Sequence, residues 1–580
     1  MFTVKFIPFS NKTILYIKEI NDCLVVDTHG MSDGEYILSK KEIFDMLSES
    51  QINEIATALN YAEDYINDKK PKNRTPVEYT LCLHPSRTCN MACKYCFARS
   101  DESSYLPSKN IDFDITKKAI DFLVNDVGKD GYKYRIDISG SGEPLLNIKY
   151  IRELEKYCNE LKDNLGKEIY ITFPTNATLI NKEIAEFLNK SQTIFLGISL
   201  DGDELHCKNR LLKDGSEGFE KIKSGIELLN RTFGIAATIT NINEDVDQVY
   251  DYLYYNFPNA DAISMQLVRN YDNSDVSFYN VDINNLIMHY EKLLDKILVH
   301  LENNNYDYVL KLLRSTDTLG VYLRWVLNKR IIHTKRCNAG GSSFSIDDDG
   351  SIYSCSVLNG NNAFKVGHID QGVDLRLKSK FSEKNVDNNI KCKNCWASYI
   401  CGGECFAKAF LSNGDIDIPN ERMCEFKKKL IEKCIVFVEL LKLKNYEAYL
   451  KLKAFRVDSS KYKTHLWAIN YFLNSKGISC RYNELNKRYN NAYKSDNVDE
   501  VFDFIKNFYK NINKCDISEF CFCKAKFPVI FCVNKNSLRQ YLIIDGIDEN
   551  KFVINRINSS KSYLVNTEQF IKECPGEILF

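Results

Sequence analysis

This sequence lacks long apolar runs, an excess of charge of one sign and, toward its C-terminus, histidine. The longest apolar run, around residues 434–443, is too short to cross a bilayer. The opening segment MFTVKFIPFSNKT has neither the apolar core nor the cleavage site of a secretory signal peptide. These absences predict a cytoplasmic protein with no membrane partner.

Positive and negative charges are balanced. The 580 residues carry 77 Lys and Arg against 78 Asp and Glu, which gives a formal net charge of −1. Because proteins recognise phosphate backbones through a basic excess, we expect no nucleic-acid partner. A chain of this length is too long for one hydrophobic core, so two to four domains are expected.

Cysteine, by contrast, is plentiful, with 21 residues. Disulfides are disfavoured in a reducing cytosol, and clustered cysteines there indicate metal ligands or redox groups. Ten of the cysteines fall into strict local spacings. The others are scattered and are interpreted as small buried or incidental thiols. These scattered residues are Cys23, Cys82, Cys158, Cys207, Cys434, Cys480, Cys515, Cys521, Cys523, Cys532 and Cys574.

The first spaced group lies in RTCNMACKYCFA, where Cys89, Cys93 and Cys96 form a C-x3-C-x2-C pattern. A structural zinc ion and an ordinary iron–sulfur cube each take four protein ligands. His84 lies upstream on a strand-like run, and the segment FARSDESSY that begins at Phe97 has no cysteine or histidine. A cube held by these three thiolates would keep one iron open for a substrate or cofactor.

Strand-like and helical segments alternate from about Tyr79 to about Arg269. This alternation predicts parallel strands joined by crossover helices, in at least five units, with reactive loops at the carboxyl ends of the strands. Residues 1–70 are predicted to form short strands followed by helical segments, and a basic, proline-bearing linker follows at 69–76. Residues 270–336 are expected to be largely helical.

The cysteine spacing, set after the first strand of this series with Phe97 behind it, resembles the radical S-adenosylmethionine (SAM) superfamily. In that superfamily three cysteines hold a 4Fe–4S cluster, and its open iron chelates the amine and carboxylate of SAM. One-electron reduction then cleaves SAM to a 5′-deoxyadenosyl radical. The resemblance implies that Cys89, Cys93 and Cys96 bind such a cluster and that Tyr95 contacts SAM.

Two later strand ends resemble loops that bind SAM in this superfamily. SGSGEPLLN resembles the Gly-Gly-Glu-Pro loop, with Ser141 in place of a glycine. It implies that Gly142 lets the backbone approach the SAM amine and that Glu143 accepts from that cation. FPTNATL resembles the Thr-Asn-Gly strand end, with Ala177 where glycine is usual.

A third strand end, GISLDGDELHCKNR, resembles the one that contacts the ribose and carboxylate of SAM. It offers Ser199 and Asp201 as polar groups and Arg210 as a bidentate partner for the carboxylate. Each loop alone is more often an ordinary turn. Their occurrence in the right order at consecutive strand ends favours the SAM interpretation.

The second spaced group comprises seven cysteines, which are Cys337, Cys355, Cys392, Cys395, Cys401, Cys405 and Cys424. SIDDDGSIYSC predicts a hairpin whose Asp-Gly turn aims Cys355 back at Cys337. Seven thiolates do not divide into two tetrahedral sites, which disfavours a zinc ribbon, although that alternative stays open. The pattern resembles the SPASM extension of peptide-modifying radical SAM enzymes.

The resemblance to SPASM proteins assigns the cysteines to two auxiliary clusters. It implies a fully ligated outer cluster on Cys392, Cys395, Cys401 and Cys424, and an inner cluster on Cys337, Cys355 and Cys405. Members with a full inner site carry a further cysteine shortly after the first, whereas CNAGGSSF has only serines at 342 and 343. The resemblance thus implies three 4Fe–4S clusters, one of which binds SAM, and an open iron in the inner auxiliary cluster.

LCLHPSRTCNMACKYCFA, CKNCWASYICGGECFAKAF and NGDIDIP resemble, over roughly residues 1–445, the maturases that install sulfur-to-carbon thioether bridges in cysteine-rich ribosomal peptides. Sactipeptide and ranthipeptide maturases are of this kind. The resemblance implies a cysteine-rich precursor peptide with a leader as substrate, and an electron donor of flavodoxin or ferredoxin type. A precursor thiolate on the open inner iron would bond to the carbon from which the radical has removed hydrogen, and the cluster would take the surplus electron.

Two other functions stay open from sequence. One is an anaerobic sulfatase maturase that forms formylglycine, although those enzymes carry the eighth cysteine that is missing here. The other is a non-catalytic scaffold that stores clusters or binds peptide, although a scaffold has no use for the SAM-binding loops.

The two ends of the chain are interpreted as peptide-binding elements. Residues 1–75 resemble a small winged-helix recognition element that takes up a leader as an added strand, with a plain barrel cap as the alternative. Residues 460–580 resemble the papain-like peptidase domain of double-glycine bacteriocin exporters, with the nucleophile position at Thr464 and the base position at Gln540. Residues 466–580 contain no histidine, so no Cys-His dyad can form. We expect a degenerate domain that binds the leader.

The predicted fold class is α/β, organised in five parts. They are a winged-helix-like element at 1–75, a partial (β/α)6 radical SAM barrel at 76–270, a helical bridge at 271–336, a cysteine-rich SPASM domain at 337–445 and a papain-like α+β domain at 460–580.

Overall fold

The computed structural model describes most of the chain. The described residues are 1–27, 32–67, 78–96, 110–129, 131, 133–139, 142–165, 167–268, 280–328, 332–454, 464–476, 478, 488–489, 492, 497–516, 527–535, 538–548, 551–555, 563–573 and 576–580. Phe97, Ser141 and the linker at 69–76 lie outside these ranges. No helix within them is both long and apolar enough to cross a membrane.

The N-terminal segment is an antiparallel sheet covered by helices. Its elements are β1 (Phe2–Phe9), β2 (Lys12–Ile17), β3 (Asp22–Val26), β4 (Gly34–Leu38), α1 (Lys40–Phe44) and α2 (Glu49–Asn67), with strand order β3-β2-β1-β4. Alternate apolar residues of β1 pack with Ile55 and Leu59 of α2 in a separate core. The sequence predicted three strands here. β4 is a fourth that pairs with β1, and its short, half-exposed GEYIL gives only a weak strand signal.

Six parallel strands form the centre of the molecule. They are β5 (Glu78–Cys82), β6 (Lys133–Asp137), β7 (Glu168–Thr175), β8 (Ile194–Ser199), β9 (Phe233–Ile239) and β10 (Ala260–Leu267). The crossover helices are α3 (Phe113–Phe122), α4 (Ile148–Leu165), α5 (Lys182–Lys190), α6 (Phe219–Glu227) and α7 (Val246–Asn256). Neighbouring strands follow chain order from β5 to β10. The predicted parallel sheet with crossover helices is confirmed, and the loops that carry the motifs all leave the same edge.

Three helices follow the parallel strands, as the sequence predicted. They are α8 (Ile283–Glu302), α9 (Tyr306–Arg314) and α10 (Thr318–Leu327). Asp317 caps α10 through the Gly320 N–H (3.1 Å) and accepts a second hydrogen bond from the Met265 N–H of β10 (2.7 Å). This buried carboxylate ties the helices to the edge of the sheet.

The cysteine-rich region continues the central sheet. Its elements are β11 (Ser343–Ile346), β12 (Ser351–Tyr353), β13 (Lys365–His368), β14 (Gly372–Val373), α11 (Leu375–Ser382), α12 (Ile390–Lys393), α13 (Ser398–Cys401), α14 (Phe406–Asn413), α15 (Glu421–Lys444) and α16 (Tyr446–Ala454). β11 pairs in parallel with β5, and β12 to β14 follow it antiparallel, so one sheet of ten strands spans both predicted domains. The predicted β11–β12 hairpin is confirmed, with Gly350 at a φ of +85° in its turn.

The C-terminal region is an α+β unit with its own cores. Its elements are α17 (Thr464–Ser475), α18 (Val498–Lys506), β15 (Lys514–Asp516), β16 (Val529–Lys535), β17 (Leu538–Asp548), β18 (Lys551–Asn555), β19 (Tyr563–Asn566), α19 (Thr567–Glu573) and β20 (Gly576–Leu579). The antiparallel strand order is β15-β20-β16-β17-β18-β19. Alternate residues of β16, such as Ile530 and Phe531, belong to separate cores on the two faces of the sheet. The mixed α+β class is as predicted, and the papain-like label stays a prediction.

Candidate functional site

The loop after β5 carries Cys89, Cys93 and Cys96. Its backbone is fastened to the segment after β8, because Ala92 N–H donates to the Leu211 carbonyl (2.7 Å) and Lys94 N–H to the Asn209 carbonyl (3.0 Å). The pKa of Cys93 is raised to about 12, chiefly by burial and in smaller part by the charges of Cys96 and Cys89, while Arg210 opposes the shift. The three sulfurs therefore lie within electrostatic reach of one another, as ligands of one cluster must.

Gly142 packs directly on this cysteine loop. Its φ is +61°, and a Cβ there would lie 2.3 Å from the Ser86 carbonyl oxygen and 2.5 Å from that of Thr88. The next N–H, that of Glu143, donates to the Thr88 carbonyl (2.8 Å). Only glycine fits at position 142 this close to the cysteine loop, and the predicted approach of this backbone to the SAM amine stays a prediction.

Glu143 is buried, and its carboxylate is engaged by the chain. It accepts hydrogen bonds from the Thr175 hydroxyl (2.6 Å), the Asn176 N–H (2.8 Å) and the Leu145 N–H (3.1 Å). Burial raises the pKa of Glu143, while these donors oppose the shift. The carboxylate thus joins the loop after β6 to the end of β7, and its contact with the SAM amine stays a prediction.

Sequence reasoning missed Asn176. Its side-chain amide donates to the Cys89 sulfur (3.7 Å) and to the Asn90 side chain (2.9 Å). The FPTN stretch was the available signal, since an amide at a strand end beside three thiolates can donate to one of them. The next residue, Ala177, has a φ of +59°, the left-handed region that glycine adopts without strain.

Asp201 and Arg210 form a buried ion pair after β8. Arg210 donates to Asp201 Oδ1 (2.9 Å), the Thr238 N–H donates to the same oxygen (2.8 Å), and the Tyr95 hydroxyl donates to Oδ2. The guanidinium carbon lies 5.6 Å from the centre of the Tyr95 ring. The structure thus joins the residues predicted from the cysteine loop and from the loop after β8. Ser199 ends β8, opposite Ala236 of β9.

One nitrogen of the Arg210 guanidinium makes no hydrogen bond within the described part of the chain. This atom, Nε, is buried and has no hydrogen-bond partner among the described residues. The nearby carboxylate of Asp201 holds the pKa of Arg210 well above its ordinary value, so the guanidinium stays charged despite its burial. These features fit a group with a carboxylate, which is the part of SAM that the sequence assigned to Arg210.

Four of the later cysteines line one cavity. Cys392, Cys395, Cys401 and Cys424 border a cavity of about 600 Å³ between α12, α13 and α15, which also reaches Lys5 and Glu35 of the N-terminal sheet. Burial raises the pKa of Cys392 to about 12, followed by the charges of Cys401, Cys424 and Cys395. We call these four the outer set, and the cavity has room for a four-iron cluster.

The other three cysteines form a second group, which we call the inner set. The pKa of Cys355 is raised to about 12, chiefly by burial and in smaller part by the charges of Cys405 and Cys337. The Ala339 N–H donates to the Cys337 sulfur (3.4 Å). Among the described residues no three His, Cys, Asp or Glu side chains are close enough to hold a single metal ion. The described cysteines therefore form no preformed zinc site, and their assignment to two larger clusters stays a prediction.

A side chain that the sequence placed among the incidental thiols lies beside the inner set. Cys82 ends β5 opposite Ser345 of β11, its thiol is hydrogen bonded to the Ser356 side chain, and the charge of Cys355 acts on it. On the other side of β5, Asp137 ends β6 and forms an ion pair with Arg135 (3.1 Å). The alternation of β5, with Leu81 and Leu83 in the core, was the signal that Cys82 faces the opposite side.

The resemblance to a peptidase domain placed the nucleophile position at Thr464 and the base position at Gln540. Thr464 begins α17, Gln540 lies in β17, and α17 packs on β17. His465 contacts the rings of Tyr489 and Tyr541, so this histidine belongs to the packing of the domain.

Comparisons with known proteins agree with the radical SAM interpretation of the parallel β5–β10 region. Residues 83–253 match the Radical SAM superfamily. An uncharacterized protein of Methanocaldococcus jannaschii is 29% identical over 55% of this chain and 94% of its own length. A cysteine-type anaerobic sulfatase-maturating enzyme of Clostridium novyi is 26% identical over 60% of this chain and 93% of its own length.

A solved structure shows the same fold. Native anSMEcpe with bound AdoMet and Kp18Cys peptide is 21% identical, with a TM-score of 0.51, over 64% of this chain and 99% of that one. The chain thus carries a radical SAM domain and is related to the anaerobic sulfatase-maturating enzymes.

Proposed function

We propose that this radical SAM enzyme modifies a cysteine-rich precursor peptide and forms thioether bonds between precursor sulfurs and carbons. The observation that carries the proposal is that Cys392, Cys395, Cys401 and Cys424 line one cavity, while Cys405 and Cys337 act on Cys355. This arrangement supports the assignment of four cysteines to an outer cluster and three to an inner cluster. A cluster on three thiolates keeps one iron open to a thiolate from another molecule. Transfer of sulfur to carbon needs such a position.

The SAM-binding part of the proposal rests on Cys89, Cys93 and Cys96 as cluster ligands. When bound, SAM and its cluster supply a radical that removes a hydrogen atom from the peptide. Asp201 orients Arg210 toward the carboxylate of SAM, and Gly142 brings the polypeptide backbone close to the cysteine loop. These groups position the reacting atoms, which is the contribution that a protein makes to such a step.

The inner cluster would be held by Cys337, Cys355 and Cys405 next to the carboxyl ends of β5 and β6. A precursor thiol that binds there loses its proton. Asp137 lies opposite Cys82 at the ends of β5 and β6, and burial raises its pKa although Arg135 opposes the shift, so we assign it the role of proton acceptor. The outer cluster would exchange electrons with a donor of flavodoxin or ferredoxin type.

The N-terminal sheet supports the uptake of a leader peptide as an added strand. In the described part of the chain, β4 pairs only with β1, and its Ile37 side chain is 68% exposed. The opposite edge strand, β3, is partly covered, since the Gln51 side chain donates to the Val25 carbonyl (2.8 Å). The edge of β4 is therefore the place where we expect leader pairing. The C-terminal domain is proposed as a second contact for the leader.

Formylglycine formation on a sulfatase is the second candidate function. The similarity to sulfatase-maturating enzymes favours it, and the three-cysteine inner set disfavours it. The scaffold alternative is disfavoured by the packed loops around Gly142, Asp201 and Arg210.

Mass spectrometry separates these functions. The reconstituted full-length protein is incubated anaerobically with SAM, dithionite and either a short cysteine-rich peptide encoded beside its gene or a peptide from a sulfatase active site. We expect the first peptide to lose two hydrogen atoms per bridge and to retain its sulfur, with a matching loss of thiols that iodoacetamide can alkylate. Loss of sulfur from the second peptide, with none of these changes in the first, would contradict the proposal in favour of formylglycine formation. If no 5′-deoxyadenosine forms in either incubation, an enzymatic function would be excluded and the scaffold alternative would remain.

A further inference from the structure

A buried polar bridge connects the two auxiliary cysteine sets. Arg336 immediately precedes Cys337 of the inner set. Its NH1 donates to the Tyr322 hydroxyl (3.0 Å), and that hydroxyl donates to the Cys401 sulfur of the outer set (3.9 Å). The guanidinium also lies over the Tyr322 ring, with 5.3 Å between its carbon and the ring centre. Two hydrogen bonds therefore lead from one set to the other.

An ion pair lies beside this bridge. Lys427 donates to Glu404 Oε1 (2.8 Å), and both side chains are nearly inaccessible, at 6% and 5% exposure. Glu404 immediately precedes Cys405, whose N–H donates to the same oxygen (2.8 Å). Lys427 lies one helical turn after Cys424 on α15. The ion pair thus also has one residue next to each set.

Two cations, Lys427 and Arg336, share the single carboxylate of Glu404, so a net positive charge stays beside the thiolates. Arg336 brings this charge to Cys401 through the hydroxyl of Tyr322. A hydrogen bond and a positive charge near a cluster sulfur stabilise the reduced cluster, which carries one more negative charge.

We propose that Tyr322 is a positioning residue that donates to Cys401, that Arg336 holds it in place, and that the pair raises the reduction potential of the outer cluster. The outer cluster then becomes the better acceptor for an electron that the inner cluster releases. When both clusters are bound, one electron would pass from the inner to the outer cluster with no bond made or broken, and Tyr322 and Arg336 would set how readily the outer cluster accepts it. This inference rests on the proposed assignment of the outer set as a cluster site.

The test is a redox titration of the reconstituted full-length enzyme, followed by electron paramagnetic resonance. Tyr322→Phe keeps the ring and removes the hydroxyl. We expect it to keep the iron content and to shift the midpoint of the outer cluster to more negative potential. At a potential equal to the wild-type midpoint, the ratio of reduced to oxidised outer cluster should be about fivefold lower in the variant, because one modest hydrogen bond is lost. Tyr399→Phe is the matched control, because it removes a hydroxyl of α13 that donates to Asp387 (2.8 Å).

Arg336→Gln is the second variant, in case Tyr322→Phe does not fold. It removes the charge and keeps an amide that can donate to the hydroxyl, and we expect a shift in the same direction. An outer-cluster midpoint that is unchanged in the folded variants, or shifted equally in Tyr399→Phe, would overturn the inference. Iron content that does not fall in Cys401→Ala would also overturn it, together with the cluster assignment. Failure of the proposed peptide chemistry is distinguishable, since the peptide product would be absent while the potential shift persists.

Discussion

Arg87 and Asp347 form a buried ion pair with 3.2 Å between NH2 and Oδ1. Arg87 lies two residues before Cys89, the first cysteine of the loop after β5, and Asp347 directly follows β11, the first strand of the hairpin that leads to Cys355. His84 and Ser345 make a second contact between the same segments (3.1 Å). The cysteine loop after β5 and the β11–β12 hairpin are therefore fixed to each other by side chains as well as by strand pairing.

We expect Asp347→Asn to lower the stability of the protein by about 3–5 kcal/mol, because it leaves the Arg87 charge buried without its partner. The double variant Arg87→Met with Asp347→Leu should recover most of this loss. Thermal unfolding of the anaerobically reconstituted protein measures both. Equal stability of the wild type and Asp347→Asn would show that the ion pair contributes nothing.

Replacing Cys89, Cys93 and Cys96 together with alanine should remove one cluster of three. Iron content should fall from about twelve to about eight per chain, as expected for three four-iron cubes. Formation of 5′-deoxyadenosine under dithionite should cease, because no open iron remains to bind SAM. Continued SAM cleavage by this variant would show that the SAM site lies elsewhere.

Cys82→Ala tests whether the inner cluster is open. The Cys82 thiol already has a partner in Ser356, so we expect the variant to keep the wild-type iron content. Addition of a cysteine-containing precursor should then perturb the spectrum of the inner cluster in both proteins, and an all-serine precursor should not. If Cys82→Ala instead loses iron from the inner cluster, Cys82 is its fourth ligand and the open iron does not exist. Cys158→Ala, which removes a buried thiol of α4, is the matched control.

Ala177→Gly should stabilise the protein by up to about 1 kcal/mol, because glycine adopts a positive φ without the steric cost that alanine pays. Ala185→Gly, within α5, is the control and should destabilise by a similar amount. Thermal unfolding of the two variants measures the difference. A loss of stability in Ala177→Gly would show that the left-handed conformation at this residue is not strained.

Truncation at about Lys453 should weaken the affinity for the leader peptide while SAM cleavage without peptide continues nearly unchanged. The C-terminal strands and helices pack in cores of their own, so their removal should not expose the barrel core. Anaerobic binding of a leader peptide to the full-length and truncated proteins tests this. Unchanged affinity would assign leader recognition to the N-terminal sheet alone, and a parallel loss of SAM cleavage and thermal stability would assign the domain a purely structural role.

The regular parts of this fold follow from local patterns in the sequence. Alternating strands and helices over residues 79–269 predict a parallel sheet because each unit buries its apolar face on the next. Short β4 was missed, since GEYIL is half-exposed and has no long apolar run. The join between β5 and β11 could not be predicted, because it pairs residues far apart in the chain and leaves no local signal.

Some candidate site residues could likewise be predicted from local sequence, whereas others depend on contacts between distant segments. Spacing alone selects the ten clustered cysteines, because cluster ligands that are close in sequence are held by short loops. Asn176 and Cys82 escaped notice, since their significance depends on which sulfurs lie near them in space. Likewise, the sequence does not indicate that the Glu143 carboxylate accepts three hydrogen bonds from the chain, because these bonds depend on how the segments pack.

The pairing of β5 with β11 affects how the chain assembles during synthesis. β5 is made early, but the strand that covers its second edge begins at Ser343 and leaves the ribosome more than two hundred residues later. Until then β5 presents an unpaired edge, the kind of surface that promotes association with other chains. Completion of the sheet brings Cys355 toward its place and covers this edge in one event. Protection of this edge from aggregation therefore depends on the same strand that leads the chain to Cys355.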